Sequence, residues 1–147
     1  MGTRALTFVY EGERALVNMY RQYDGYPSGH GLELATFLTR GQLVNGLSGK
    51  DEVSFNGMSC LAASMIANFK ETPGGFYIYS VEETECGQDY EYHVYEGQDS
   101  EGEREIRVRV TDRGCNMFGL TMSDINEALF DGSAVEFLDY CTEKTVA

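Results

Sequence analysis

The chain of 147 residues contains no apolar run approaching the roughly 20 residues that a membrane-spanning helix requires. Its opening also lacks the apolar stretch of a secretory signal. A soluble, unexported protein with no membrane contact is expected, in the cytoplasm. Met1-Gly2 does not convert this into a lipid anchor, because myristoylation wants Ser or Thr at the sixth position and Leu6 stands there. Closely spaced cysteines are missing as well. Cys60, Cys86, Cys115 and Cys141 lie more than 20 residues apart, so no zinc knuckle or redox pair is present, and unlinked thiols in a reducing compartment are expected. With only His30 and His93 as further soft ligands, neither a structural metal nor a cofactor is expected.

Positive charge is scarce: 11 Lys and Arg stand against 24 Asp and Glu, a formal net charge of -13. The deficit is uneven. Residues 1–81 carry seven acids and six bases, a balance of -1, and residues 82–147 carry seventeen acids and five bases, a balance of -12. Between Glu82 and Glu103 there are nine acids and no Lys or Arg. Such a surface repels phosphate backbones, so direct nucleic-acid binding is not expected. The run reads either as a solubilising face or as an acidic dock for a basic partner, including mimicry of nucleic acid.

What is present is the size and apolar content of one domain, with 42% hydrophobic residues. Thr3–Tyr10 and Arg14–Tyr23, flanking Glu11-Gly12-Glu13, predict a β-hairpin. Asp24 to Gly31 holds three glycines and a proline in eight residues, which predicts a structured loop rather than a regular element. Apolar spacing predicts a helix over Leu32–Leu38, an irregular connection with at most one helical turn over 42–56, and a second helix over Met58–Lys70 stopped by Pro73-Gly74-Gly75. Strands are predicted at Phe76–Val81, Tyr90–Tyr95 and Glu105–Thr111, the last turning at Asp112-Arg113-Gly114 into Cys115–Gly119. A short helix near Thr121 and a final helix behind the capping box Ser133-Ala134-Val135-Glu136 complete the chain. The predicted fold is α+β in a single domain over residues 1–147: an antiparallel or mixed sheet of five to six strands, with two to four helices mainly on one face.

Tyr20-Arg21-Gln22-Tyr23-Asp24-Gly25-Tyr26-Pro27-Ser28-Gly29-His30-Gly31, behind the opening Met1-Gly2-Thr3-Arg4, resembles a group of small uncharacterised proteins of bacteria and their phages. The resemblance extends more loosely through Asn45-Gly46 and Pro73-Gly74-Gly75-Phe76-Tyr77 to Tyr90-Glu91-Tyr92-His93-Val94. It implies a bacterial or phage setting and no particular activity.

Read from its residues, the same segment offers Arg21 as a planar cationic fork for phosphate or carboxylate, and Tyr20, Tyr23 and Tyr26 as stacking faces. Gly29-His30-Gly31 precedes the first predicted helix, where free N–H groups favour an anion, and His30 adds a proton or a hydrogen bond. The ligand-binding candidates are Arg21, Tyr23, Asp24, Tyr26, Ser28 and His30, presented outward by a fixed bend. The alternative is structural: Asp24-Gly25 turns the chain, Pro27 fixes it, the tyrosines cover core edge, and Arg21 pairs with Asp24 or Glu33. A second group is His93, Arg107 and Arg109, since the arginines alternate onto one face of their strand and a paired strand could bring His93 beside them. Those arginines serve either as an anion site, conceivably shared with the loop, or as neutralisers of nearby glutamates.

Three motif checks fail. Gly46-Leu47-Ser48-Gly49-Lys50-Asp51 is no phosphate loop, because Val44 and Asp51 occupy its diagnostic positions. Asp24, Ser28 and His30 come from one loop, unlike an assembled hydrolytic triad. Asp99 to Glu103 lacks a calcium loop's bidentate Glu, since Val108 stands there, and reads as a solvated hairpin loop. The expectation is a non-enzymatic binding or regulatory protein that recognises a small anionic, nucleotide-like ligand or a partner protein, conceivably in defence or counter-defence. The alternatives are an acidic inhibitor and a hydrolase using His30. A homo-oligomer stays open.

Overall fold

A computed structural model describes residues 2–44, 54–112 and 128–146. Ala5–Glu11 (β1) and Arg14–Arg21 (β2) form the predicted hairpin, turning at Gly12 with φ 63°, where glycine avoids the steric cost other residues meet. Phe76–Tyr79 (β5) lies antiparallel to β2. Tyr90–Gln98 (β6), Arg104–Asp112 (β7) and Phe130–Ser133 (β8) form a second antiparallel set. The two sets join where β1 runs parallel to β6, giving one six-stranded mixed sheet in the order β5-β2-β1-β6-β7-β8. The predicted α+β class with a mixed sheet is what the structure has.

Three helices, Leu32–Leu38 (α1), Gly57–Phe69 (α2) and Ala134–Val146 (α3), supply the apolar surface that the sheet buries. The main core joins Ala5, Val9 and Met19 of the hairpin and Tyr92, Val94, Val108 and Val110 of β6 and β7 to Leu34, Leu38, Leu61, Met65 and Phe137 of the helices. Strand alternation places Ile106, Val108 and Val110 on this face and Arg107 and Arg109 on the other, as predicted. The capping box is present: Ser133 N–H donates to Glu136 Oε1 at 2.9 Å, and Glu136 N–H donates to Ser133 Oγ at 3.2 Å.

Four features differ from expectation. Residues 42–44 (β3) and 54–56 (β4) form a separate two-stranded parallel sheet, where an irregular connection was predicted. Leu43 and Phe55 are opposed across it, and Phe55 is buried against Phe37, so a tertiary contact overrides weak local signals. Phe130–Ser133 is a strand despite Asp131-Gly132. Gly132 is buried where a Cβ would lie 2.8 Å from Phe130, so the glycine provides clearance inside the sheet rather than a turn.

Pro27–Gly31, predicted as a structured loop rather than a regular element, is a turn of π-helix that runs directly into α1. Proline is tolerated in a first helical turn, where its missing N–H has no partner to lose. Finally, the chain from β5 to β6 must pass β2 and β1, and it does so as a strap over the face opposite the helices. Asn18 Nδ2 donates to the carbonyls of Ser80 at 3.0 Å and Glu83 at 2.9 Å, and Gln88 is fully buried. A second small core of Leu6, Phe8 and Tyr20, with Tyr79 and Cys86 packed against it, belongs to this face. The predicted hairpin into Cys115–Gly119, the helix near Thr121 and the Gly46–Asp51 turn lie outside the described residues. No disulfide links Cys60, Cys86 and Cys141 to one another among the described residues. No described helix is long and apolar enough to cross a membrane.

Candidate functional site

Asp24 is the pivot of the Arg21–Gly31 segment. It adopts φ 58°, a left-handed conformation that Asp tolerates better than most residues. Its carbonyl accepts the His30 N–H at 2.7 Å, while the Tyr26 carbonyl accepts from Gly29 N–H at 2.9 Å and Gly31 N–H at 3.3 Å. The glycines permit close approach: a Cβ on Gly29 would sit 2.4 Å from the Asp24 carbonyl oxygen, and one on Gly25 would sit 2.8 Å from the Ala5 Cβ. Tyr92, buried at the sheet centre, fixes the start of the bend by donating its hydroxyl proton to the Gly25 carbonyl at 2.7 Å. The three N–H groups of residues 29 to 31 are therefore consumed inside the turn. They do not form the expected anion cradle.

His30 corrects a second expectation. Its side chain points inward and is 1% exposed, edge-on to Tyr92 and against Phe69. Arg21 Nη1 lies 3.2 Å from Nδ1, and Thr7 Oγ1 lies 2.9 Å from Nε2. A guanidinium can only donate, so Nδ1 is the acceptor and Nε2–H donates to Thr7. Burial, reinforced by the charge of Arg21, holds the imidazole pKa down to about 3. The ring is neutral, with both nitrogens engaged. It cannot reach a ligand or act as an exposed base.

Arg21 is held from several sides. Nε donates to the Tyr23 carbonyl at 2.8 Å, and Nη1 donates to His30 and to Glu33 of α1. Of the two acids the sequence offered as partners, Glu33 takes the ion pair. Asp24 instead accepts the hydroxyl proton of Tyr26 at 3.1 Å. Tyr26 is 38% exposed and Ser28 is half-buried.

Arg21 nonetheless borders open space. A cleft of about 590 Å³ lies between the ends of β2 and β5, the outer side of α1, and the chain leaving α2. Arg21 and Tyr23 form one wall, and Tyr23 is 55% exposed. Glu33, Thr36 and Arg40 line a second side, Phe69 and Phe76 contribute apolar surface, and Asn68, Glu71 and Thr72 complete the rim. Arg40 and Glu71 are exposed and have no ion-pair partner among the described residues. Lys70 props the β5 side by donating to the carbonyls of Phe76 at 2.7 Å and Gly74 at 3.4 Å. The residues after Arg21 that build this cleft carried a different signal in the sequence. Pro73-Gly74-Gly75 marked a helix stop, Arg40 preceded a glycine stop, and nothing local placed either beside Tyr23.

Of the first candidate group, the structure brings Arg21 and Tyr23 to the cleft; Asp24, Tyr26 and Ser28 are absent from its lining. His93, Arg107 and Arg109 lie on the opposite face of the sheet, so a site shared with the Arg21 bend is excluded. His93 and Arg109 are direct cross-strand partners, as expected. His93 is nonetheless occupied: it stacks on Phe8, shares a 2.7 Å hydrogen bond with Tyr10 through Nδ1, and faces Glu91 at 3.2 Å through Nε2. Arg107 donates to the Tyr95 hydroxyl at 3.3 Å and to Glu105 at 2.6 Å, which together raise its pKa further, and Asp131 lies at 3.9 Å; this matches the neutralising alternative. Arg109 alone of the three has no hydrogen-bond or ion-pair partner among the described residues. No group of three or more His, Cys, Asp or Glu side chains suited to a metal occurs among them either.

Comparison with protein-family models, curated proteins and solved structures finds no match to this chain. The site defines an α+β protein with a mixed-charge, aromatic-walled cleft on the helical side of its sheet.

Proposed function

We propose that the protein is a non-enzymatic binding protein that takes a small anionic ligand with a planar ring, of nucleotide type, into the cleft beside Arg21 and Tyr23. The observation that carries this reading is the cleft itself: about 590 Å³ is within the range of small-molecule sites, and its wall contains the two residue types such a ligand needs. Tyr23 offers an exposed ring face for stacking, and Arg40 an unpaired cation for the anionic group. A hydrolytic reading loses support, because the histidine it relied on is buried and committed. In our reading this binding occurs in a bacterial cytoplasm or that of a phage host and serves defence or counter-defence; the resemblance of the Tyr20–Gly31 segment to bacterial and phage proteins supports the setting.

A thermal-shift screen of mononucleotides, nucleoside triphosphates and cyclic nucleotides tests the reading. Ligand at 100 times its Kd stabilises by about 2.7 kcal/mol, roughly 5–10 °C for a chain of this size. The shift should shrink in Tyr23→Ala and in Arg40→Ala, both of whose side chains are exposed. No shift with any nucleotide, or a shift that stays at the wild-type size in both variants, removes the proposal.

One observation favours a second reading, docking of a basic partner on the acidic surface: Glu82, Glu83 and Glu85 are all exposed on the strap. Association by that route should weaken steeply with salt, because the contacts are screened.

A further inference from the structure

Resting on the cleft reading above, we infer that Glu33 holds the place of the ligand's oxyanion: its carboxylate occupies the Arg21 fork and is displaced when the ligand binds. Arg21 is fixed on its inner side. Thr7 and His30 form a buried chain behind Nη1, and the Tyr23 carbonyl holds Nε, so the guanidinium keeps its direction whatever happens on the solvent side. Glu33 differs. It belongs to the first turn of α1, its side chain is 53% exposed against 20% for Arg21, and its carboxylate pairs with Arg21 Nη1. It is the one member of this set free to swing into water without breaking another bond.

The charges of the cleft lead to the same point. Arg21 and Arg40 are balanced by Glu33 and Glu71, so the cleft with the Arg21–Glu33 pair closed has no net preference for an anion. A preference appears when Glu33 leaves, exposing Nη1 together with Nη2, which has no partner among the described residues. Two parallel N–H donors on one guanidinium match the two oxygens of a carboxylate or phosphate. The displaced carboxylate is half-exposed and its attraction to Arg21 is screened by water on that side, so competition with Glu33 weakens ligand binding by only about 1.5- to 5-fold. The ligand class this selects is a planar ring bearing one terminal oxyanion, since a neutral ring gains nothing from displacing Glu33.

Calorimetric titration of AMP, benzoate and adenosine into the wild type and Glu33→Gln tests the inference, with thermal unfolding confirming that the variant is folded. AMP supplies a phosphate, benzoate a carboxylate, and adenosine a ring without an oxyanion. The expected result is tighter binding of AMP or benzoate by Glu33→Gln, by about 1.5- to 5-fold, with adenosine unchanged. Equal or weaker binding of both anions by the variant overturns the inference and leaves the cleft reading standing. A parallel gain for adenosine also overturns it, since Glu33 would then merely obstruct the cleft. If neither protein binds any of the three, the cleft reading and the inference fall together.

Discussion

His30 is surrounded by Thr7, Arg21, Phe69 and Tyr92, and its protonation state is linked to folding. In the unfolded chain an imidazole titrates near 6.5, whereas in the fold burial and Arg21 hold it down to about 3. The unfolded state therefore binds the extra proton across this interval. The contribution of His30 is fully present above about pH 6.5 and is lost as pH falls toward 3, at up to about 1.4 kcal/mol per pH unit. Urea unfolding at pH 7, 6, 5 and 4 isolates the effect when the wild type is compared with His30→Gln, whose amide can accept from Arg21 and donate to Thr7 but does not titrate. The wild type should lose about 1 kcal/mol more per unit than the variant between pH 6 and pH 4. Parallel curves would mean that His30 is not buried in its neutral form. A histidine between two glycines in a sequence gives no indication of this, because burial here depends on Tyr92 and Phe69, which are distant in the chain.

At the level of elements, the final helix shows how much a local signal can carry. Ser133 and Glu136 satisfy each other's backbone N–H groups at the start of α3, and the backbone and side chain of Ser133 hold the Glu136 carboxyl below its usual pKa. Ser133→Ala removes one side of the box and should cost about 1 kcal/mol, measured by chemical denaturation, with α3 still docked through Phe137 and Cys141. A loss below a few tenths of a kcal/mol would show that core packing alone sets the helix start. This box, the hairpin turning at Gly12 and the alternation of Ile106, Val108 and Val110 were legible because each is specified within a few residues. The parallel pair Leu43–Phe55, the strand at Phe130 and the strap fixed by Asn18 were not, because their partners are set by tertiary contacts. The Arg21–Gly31 segment was legible as unusual chemistry but misread in shape. Gly25 and Gly29 show the reason: they serve close approach to Ala5 and Asp24, and composition cannot distinguish that from a turn.

Across the whole molecule, the sheet separates two environments that the sequence lists only in succession. The helical face holds the main core and the cleft, while the opposite face carries the strap, the Tyr10–His93–Glu91 chain and the Arg107 cluster. Seventeen of the 24 acids fall after Val81, and the ion pairs among the described residues engage only Arg21, His93, Arg104 and Arg107. Acids thus far outnumber the cations that pair with them, and a net charge of -13 opposes the compact state by self-repulsion. The screening length falls from about 30 Å at 0.01 M salt to about 8 Å at 0.15 M, so long-range repulsion across a domain of this size is removed while contacts within a few ångströms persist. Raising NaCl over that interval should therefore raise Tm, by roughly 2–4 °C for each kcal/mol of repulsion relieved. Glu82→Gln combined with Glu83→Gln, both on the exposed strap, should raise Tm at 0.01 M and reduce the salt response. A Tm that falls with NaCl would mean that attractive pairs such as Arg104–Glu96 and Arg107–Glu105 outweigh the excess of like charge.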